Sequence, residues 1–141
     1  LKGQTLKITK VDEERRMVFG FFNINKIGDD LVEDLQQDFI ETDTLEKAVY
    51  DYVLNARDAG EVHVNIGVGT LVESFMITKE KQDVIVKTLE AMGIPAVMDL
   101  GVEGWFGGFY ISDDDVWDKV KKGDYPMFSI GGSGNRVPIK E

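Results

Sequence analysis

The chain offers few residues able to do covalent chemistry, and that scarcity narrows its reading. Cysteine is absent and His63 is the one histidine, so thiolate chemistry is excluded and a single imidazole is available as a base near neutral pH. A serine hydroxyl is a weak nucleophile until a base removes its proton. Ser129 lies in Phe128-Ser129-Ile130-Gly131-Gly132, a short apolar run with one small hydroxyl at its centre and two glycines straight after. In a strand, Met127, Ser129 and Gly131 share one face while Phe128 and Ile130 share the other. The two apolar residues would then anchor the strand, and Ser129 would look out beside residues that leave backbone room. On pattern alone, a strand serine followed by a glycine-rich loop is the commoner case. The chemistry open to this set is acyl transfer, with Ser129 as nucleophile and His63 as general base, provided the fold closes the distance between them. Backbone N–H groups of Ile130, Gly131 and Gly132, or of the loop Gly134–Arg136, are candidate donors to an oxyanion.

A third group must orient the imidazole. Glu73 is the first candidate, because a hairpin running from His63 through Gly67–Gly69 sets the two strands side by side; Asp99 and Glu103 are reserves. Asp34 and Asp38 form an acidic pair, but no loop spacing of the kind that Mg or Ca needs surrounds them. They read as surface loop, and no metal or cofactor is expected.

The elements that must position these residues follow from periodicity. Leu6–Lys10 alternates as a strand, Asp12–Glu14 turns, and Arg15–Asn25 is a longer strand with Val18, Gly20, Phe22 and Ile24 on one face and Met17, Phe19 and Phe21 on the other. Apolar residues on both faces imply cover on both sides. Lys26–Ile40 is polar and without a period. Asp43–Asp58 is an amphipathic helix, with Asp43 as cap and Glu46 closing a capping box. Glu61–Ile66 is a strand bearing His63, and Thr70–Ile77 returns with Leu71, Glu73 and Phe75 on a common face. Thr78–Met92 is a second helix, with Val84 or Ile85, Thr88 or Leu89, and Met92 inward. Ala96–Ile111 reads as a strand pair or hairpin rich in aromatics. A last helix is capped by Ser112 with Asp115, buries Val116, Trp117 and Val120, and stops at Gly123 before Pro126.

With 141 residues, 43% hydrophobic and 30% charged, the chain is expected to form a single domain over 1–141. It opens on Leu rather than Met, as expected of a domain excised from a longer chain. No apolar run has membrane-spanning length and no leader opens it, so no membrane partner is expected. The net charge of −10 argues against a nucleic-acid partner, which requires a basic surface. Lys119, Lys121, Lys122, Arg136 and Lys140 make a local basic rim near Ser129.

Asp113–Gly132, DDDVWDKVKKGDYPMFSIGG, resembles the serine segment of the prohead (capsid maturation) proteases of tailed bacteriophages, most closely the XkdF-like serine protease family. The shared parts are a Val-Trp-x-x-Val helix, a Lys/Gly turn and a Phe-Ser-Ile-Gly-Gly strand, with Met127 standing where the family has Gly. The likeness runs from Asp12 to Pro138. Glu14–Gly20 is similar to the family's charged turn and Val-Tyr-Gly strand, and Asp34 and Asp38 match its Asp-x-x-x-Asp. His63 precedes Leu71-Val72-Glu73-Ser74 as the family's histidine precedes Val-Val-Glu-Ser, although its Met-His-Lys is Val62-His63-Val64 here. Gly107–Ile111 corresponds to its Gly-Val-Lys-Val strand.

The resemblance implies a serine endopeptidase, with Ser129 and His63 catalytic, that cleaves phage scaffold and major capsid proteins and itself. Its place would be inside assembling proheads in the host cytoplasm. The implied fold is α+β, a small closed, mostly antiparallel β-barrel with flanking helices related to herpesvirus assemblin, and by the same analogy a homodimer. Thr78–Met92 is longer than the family's connection and reads as an insertion over the site. Assemblins place their third catalytic member after the serine, where only Asn135 and Glu141 remain, which leaves open a third residue beyond this sequence. The alternative is a non-catalytic capsid-assembly or interaction module that retains the fold.

Overall fold

A strand that is apolar on both faces can only be stable inside a layered structure. In the computed structural model, which describes residues 8–33, 37–55 and 69–122, such a strand is central. The elements in chain order are β1 (Ile8–Asp12), β2 (Met17–Ile27), β3 (Asp30–Leu31), α1 (Thr42–Asn55), β4 (Thr70–Ile77), α2 (Lys79–Ala91), β5 (Val102–Tyr110) and α3 (Asp114–Lys121). The sheet is antiparallel in the order β1-β2-β5-β4, with β3 folded back on the end of β2. Gly28 makes that last turn at φ +60°, a conformation open to glycine at little cost. The mixed α+β class agrees with the sequence. The closed barrel does not: among the described residues the sheet is open.

One face of the sheet holds the core. Val18 and Phe22 of β2, Leu71 and Met76 of β4, and Trp105 and Phe109 of β5 meet Leu45 and Val49 of α1 and Trp117 and Val120 of α3. Phe22 stands edge-on to Trp105, with ring centres 4.8 Å apart. Burying a side chain of this size is worth roughly 1.5–3 kcal/mol. Space for the large rings comes from Gly107, where a Cβ would overlap the Glu73 carbonyl oxygen and crowd the Phe22 ring. The indole of Trp105 is not left unsatisfied in this core, since its Nε1–H donates to Ser74 Oγ at 2.8 Å.

Several local expectations change. α1 starts at Thr42, so Asp43 lies inside the first turn, and Glu46 bonds to Lys81 instead of closing a capping box. α2 is capped by Thr78, whose hydroxyl accepts from Lys81 N. Its buried residue is Gln82; of the alternatives, Ile85 and Leu89 are half-buried while Val84 and Thr88 are exposed, and Met92, 68% exposed, is not inward. Among the described residues, the side-chain hydrogen bonds of α2 to the body come from Lys81 and Gln82 in its first turn. Asp113 rather than Ser112 caps α3, accepting from Val116 N at 2.9 Å. Residues 96–101 form no strand, so Ala96–Ile111 is one strand, β5, and not a hairpin. Among the described residues no helix is long and apolar enough to cross a membrane.

Candidate active site

Ser129, His63, the donors Ile130, Gly131 and Gly132, the loop Gly134–Arg136 and Asp34 all lie outside the described residues. Within them stand Glu73, Asp99 and Glu103, the carboxylates expected from the sequence as candidates to orient an imidazole, and their surroundings differ sharply.

Glu103 is held on all sides. Its Oε1 accepts from Thr42 Oγ1 at 3.0 Å and its Oε2 from the Lys79 backbone N–H at 2.9 Å. Lys26 Nζ stands 3.8 Å away. Thr42 opens α1 and Lys79 opens α2. Helix starts carry unpaired N–H groups and the positive end of the helix dipole; the carboxylate satisfies one such N–H, at Lys79, and takes the Thr42 hydroxyl at the start of α1. The Thr42 hydroxyl in turn accepts from Asn25 Nδ2 at 2.9 Å, and the same amide donates to the Ile40 carbonyl at 3.0 Å. This joins β2, α1, β5 and α2 at one end of the sheet. Asp99 is also engaged, its Oδ1 accepting from Gly101 N at 3.1 Å in a tight turn.

Glu73 is different. It is exposed, opposite Gly108 on β5, and among the described residues no hydrogen bond or ion pair engages its carboxylate. Its direction is set by a bulge. The β4–β5 register shifts between Leu71 and Glu73, so Leu71 enters the core while Glu73 and Phe75 point to the opposite face. The shared face expected for Leu71, Glu73 and Phe75 is thereby broken, as an extra residue in one strand requires.

Lys81 is the best-positioned cation that sequence reasoning did not single out. Its Nζ donates to Glu46 Oε2 at 2.6 Å and to the Met76 carbonyl at 2.9 Å. It also stands 5.1 Å from the Tyr50 ring centre and 5.9 Å from that of Phe75. Burial acts to lower its pKa, but hydrogen bonds to Glu46 and Tyr50 and the Glu46 charge outweigh burial and hold it raised. The hydrogen bond from Lys81 holds Glu46 below its ordinary range, against a smaller opposing effect of burial. A lysine serving as general base must be neutral at working pH, so Lys81 is unsuited to that role. Its partner lies 35 residues away, and no local pattern could have revealed the pair.

A cleft of about 510 Å³ opens over the Glu103 junction, lined mainly by acids, among them Glu41, Asp43, Glu46 and Glu80, with Lys26. Glu73 lies toward the other end of the β4–β5 ladder. Among the described residues no group of three or more His, Cys, Asp or Glu could hold a metal ion.

Comparison with known sequences adds one finding. The family described as Putative phage serine protease XkdF matches residues 5–138, nearly the whole chain. No curated protein and no solved structure matches it.

Proposed function

The chain belongs to the XkdF family of phage serine proteases, and from that premise we propose that it is a serine endopeptidase acting by acyl transfer. Ser129 is the nucleophile, His63 the general base, and Glu73 the carboxylate that orients the imidazole. The observation that favours Glu73 is that, among the described residues, nothing engages its carboxylate, whereas Glu103 and Asp99 both accept hydrogen bonds.

In the reaction His63 takes the Ser129 proton as Oγ attacks the scissile carbonyl carbon. The oxyanion is held by backbone N–H groups of Ile130, Gly131 and Gly132. His63 then gives its proton to the leaving nitrogen, the C–N bond breaks, and an acyl-enzyme remains. Water attacks that ester with His63 again as base. The carboxylate product leaves and Ser129 regains its proton, so one water is consumed per bond cut.

The substrates of this reading are phage scaffold and major capsid proteins, and the chain itself, cut during head maturation inside the prohead in the host cytoplasm. The likeness of Asp113–Gly132 to prohead proteases supports that choice. Replacing Ser129 by Ala should abolish cleavage of the cognate scaffold and leave the fold intact. Undiminished proteolysis would remove Ser129 from the mechanism. A wild-type protein that binds scaffold or capsid protein but never cleaves it would favour the non-catalytic assembly module.

A further inference from the structure

α2 and the residues that follow it form an arm with apolar surface left uncovered. Gly93, at φ +79°, closes the helix, its N–H donating to the Glu90 carbonyl at 2.9 Å. The chain then returns along the helix. Ile94 N donates to the Leu89 carbonyl at 2.9 Å, and Leu100 N to Gln82 Oε1 at 2.8 Å. The two limbs are thus tied at the tip and at the base, so the arm is a built unit. Apolar residues nevertheless stand out from it. Of the eleven large hydrophobic residues exposed among the described residues, five fall within residues 84–100: Val84, Met92, Ile94, Val97 and Leu100. Val97 is 95% exposed. Val84, Thr88 and Met92 recur every four residues and so share one helix face. Thr88 brings no free hydroxyl proton to that face, since its Oγ1 donates to the Val84 carbonyl at 2.7 Å.

We propose that this arm is where a second copy of the chain docks, arm against arm about a two-fold axis. Area supports it. The five side chains present on the order of 500 Å² of apolar surface, more than singly scattered exposed residues account for. Covered on both copies, they supply roughly 1,000 Å², the least that a specific interface requires. Charge supports it too. From Lys79 to Gly101 three lysines stand against four acids, a net of −1, while the whole chain carries −10. Two identical chains therefore repel least where they meet through this arm, whereas a basic partner would be drawn to the acid-lined cleft over Glu103. An isologous contact needs a self-complementary surface, and an apolar, nearly neutral arm meets that condition. The inference does not depend on the proteolytic reading.

The full chain tests it by sedimentation equilibrium. The mass should rise from 15.8 kDa toward twice that value between about 5 and about 500 μM, the range suited to so small an interface. Val84→Asp combined with Met92→Asp should weaken the dimer about tenfold or more. Leu54→Asp, at an exposed position on α1, should leave it unchanged. All three positions are exposed, so stability should hold, and urea midpoints verify that each variant is folded. A monomer at every concentration would overturn the proposal. So would a Val84→Asp/Met92→Asp protein that dimerises like wild type, or a Leu54→Asp protein weakened as much. A second measurement uses the absence of cysteine. Alkylation of Val97→Cys, or of Thr88→Cys, should slow several-fold from the lower concentration to the higher, and that of Leu54→Cys should not. Cover by residues of the same chain would slow alkylation equally at both concentrations, and that result also overturns the proposal. Neither readout uses proteolysis, so a failure here leaves the catalytic reading standing.

Discussion

Glu103 and Glu73 stand on adjacent strands of one sheet, and the fold treats them in opposite ways. Glu103 accepts from the Thr42 hydroxyl and the Lys79 amide and lies near Lys26. Glu73 is exposed and engages nothing among the described residues. A buried or half-buried carboxylate persists only when hydrogen bonds replace the water it gives up, and Glu103 meets that requirement by joining two helix starts. Such a group is part of the framework. Under the proposed mechanism, the carboxylate that pairs with the imidazolium needs lone pairs not already taken, and Glu73 meets that need among the described residues. Residue type alone does not distinguish the two.

The sharpest way to break this comparison is Glu103→Ala. Two hydrogen bonds to a charged acceptor disappear and the first turns of α1 and α2 lose a common anchor, so stability should fall by about 3 kcal/mol, read from urea denaturation. A loss below about 1 kcal/mol would mean that Glu103 is no anchor. Glu73→Gln should do the reverse. Stability should stay within about 0.5 kcal/mol of wild type, while kcat drops roughly 100-fold, equivalent to about 2.7 kcal/mol. A carboxylate beside the imidazolium raises the histidine pKa, and His63 must be neutral to act. The rise of activity with pH should therefore move to lower pH in Glu73→Gln. Identical rates and pH profiles would show that Glu73 is only a surface acid.

The smallest effect belongs to the ion pair between these two regions. Glu46 has a lowered pKa from an ordinary value of 4.5 because Lys81 bonds it. A depressed folded-state pKa adds stability that is present above the unfolded value and is lost as pH falls through the folded one. Glu46→Gln should thus cost about 1 kcal/mol at pH 7, allowing for the partial exposure of the pair. The gap from wild type should close as pH falls below 4.5. Lys81, raised above 10.5, contributes fully throughout that window. Denaturant midpoints at pH 7 and pH 3 for both proteins test it, and a gap that persists at pH 3 would contradict the pair.

Much of the framework was legible because it is local. Apolar period two in Met17–Ile27 and Thr70–Ile77 specifies strands, and the Val116, Trp117 and Val120 stripe specifies a buried helix face, as Trp117 at 6% and Val120 at 3% exposure bear out. Caps were legible only to within a residue, since Ser112 and Asp113 are chemically equivalent choices until a backbone N–H is placed against one of them. On α2, Ile85 and Leu89 are half-buried, but Met92 is exposed and the buried position is Gln82, whose side chain bonds to Thr78 and Leu100, contacts that an apolar period does not encode.

By itself, then, the sequence determined element types, the shortage of nucleophiles and bases, and the family, because each depends on residue identity and short-range spacing. Only the tertiary structure shows which carboxylates are engaged by hydrogen bonds among the described residues, Glu103 and Asp99, and that Glu73 is not one of them. Partnership is a long-range property: Glu103 lies 61 residues from Thr42 and 24 from Lys79, and no local pattern encodes either contact. The same holds for the face on which Glu73 emerges. A single extra residue at the β4 bulge reverses the alternation of the strand, and that bulge exists only once β4 is paired with β5.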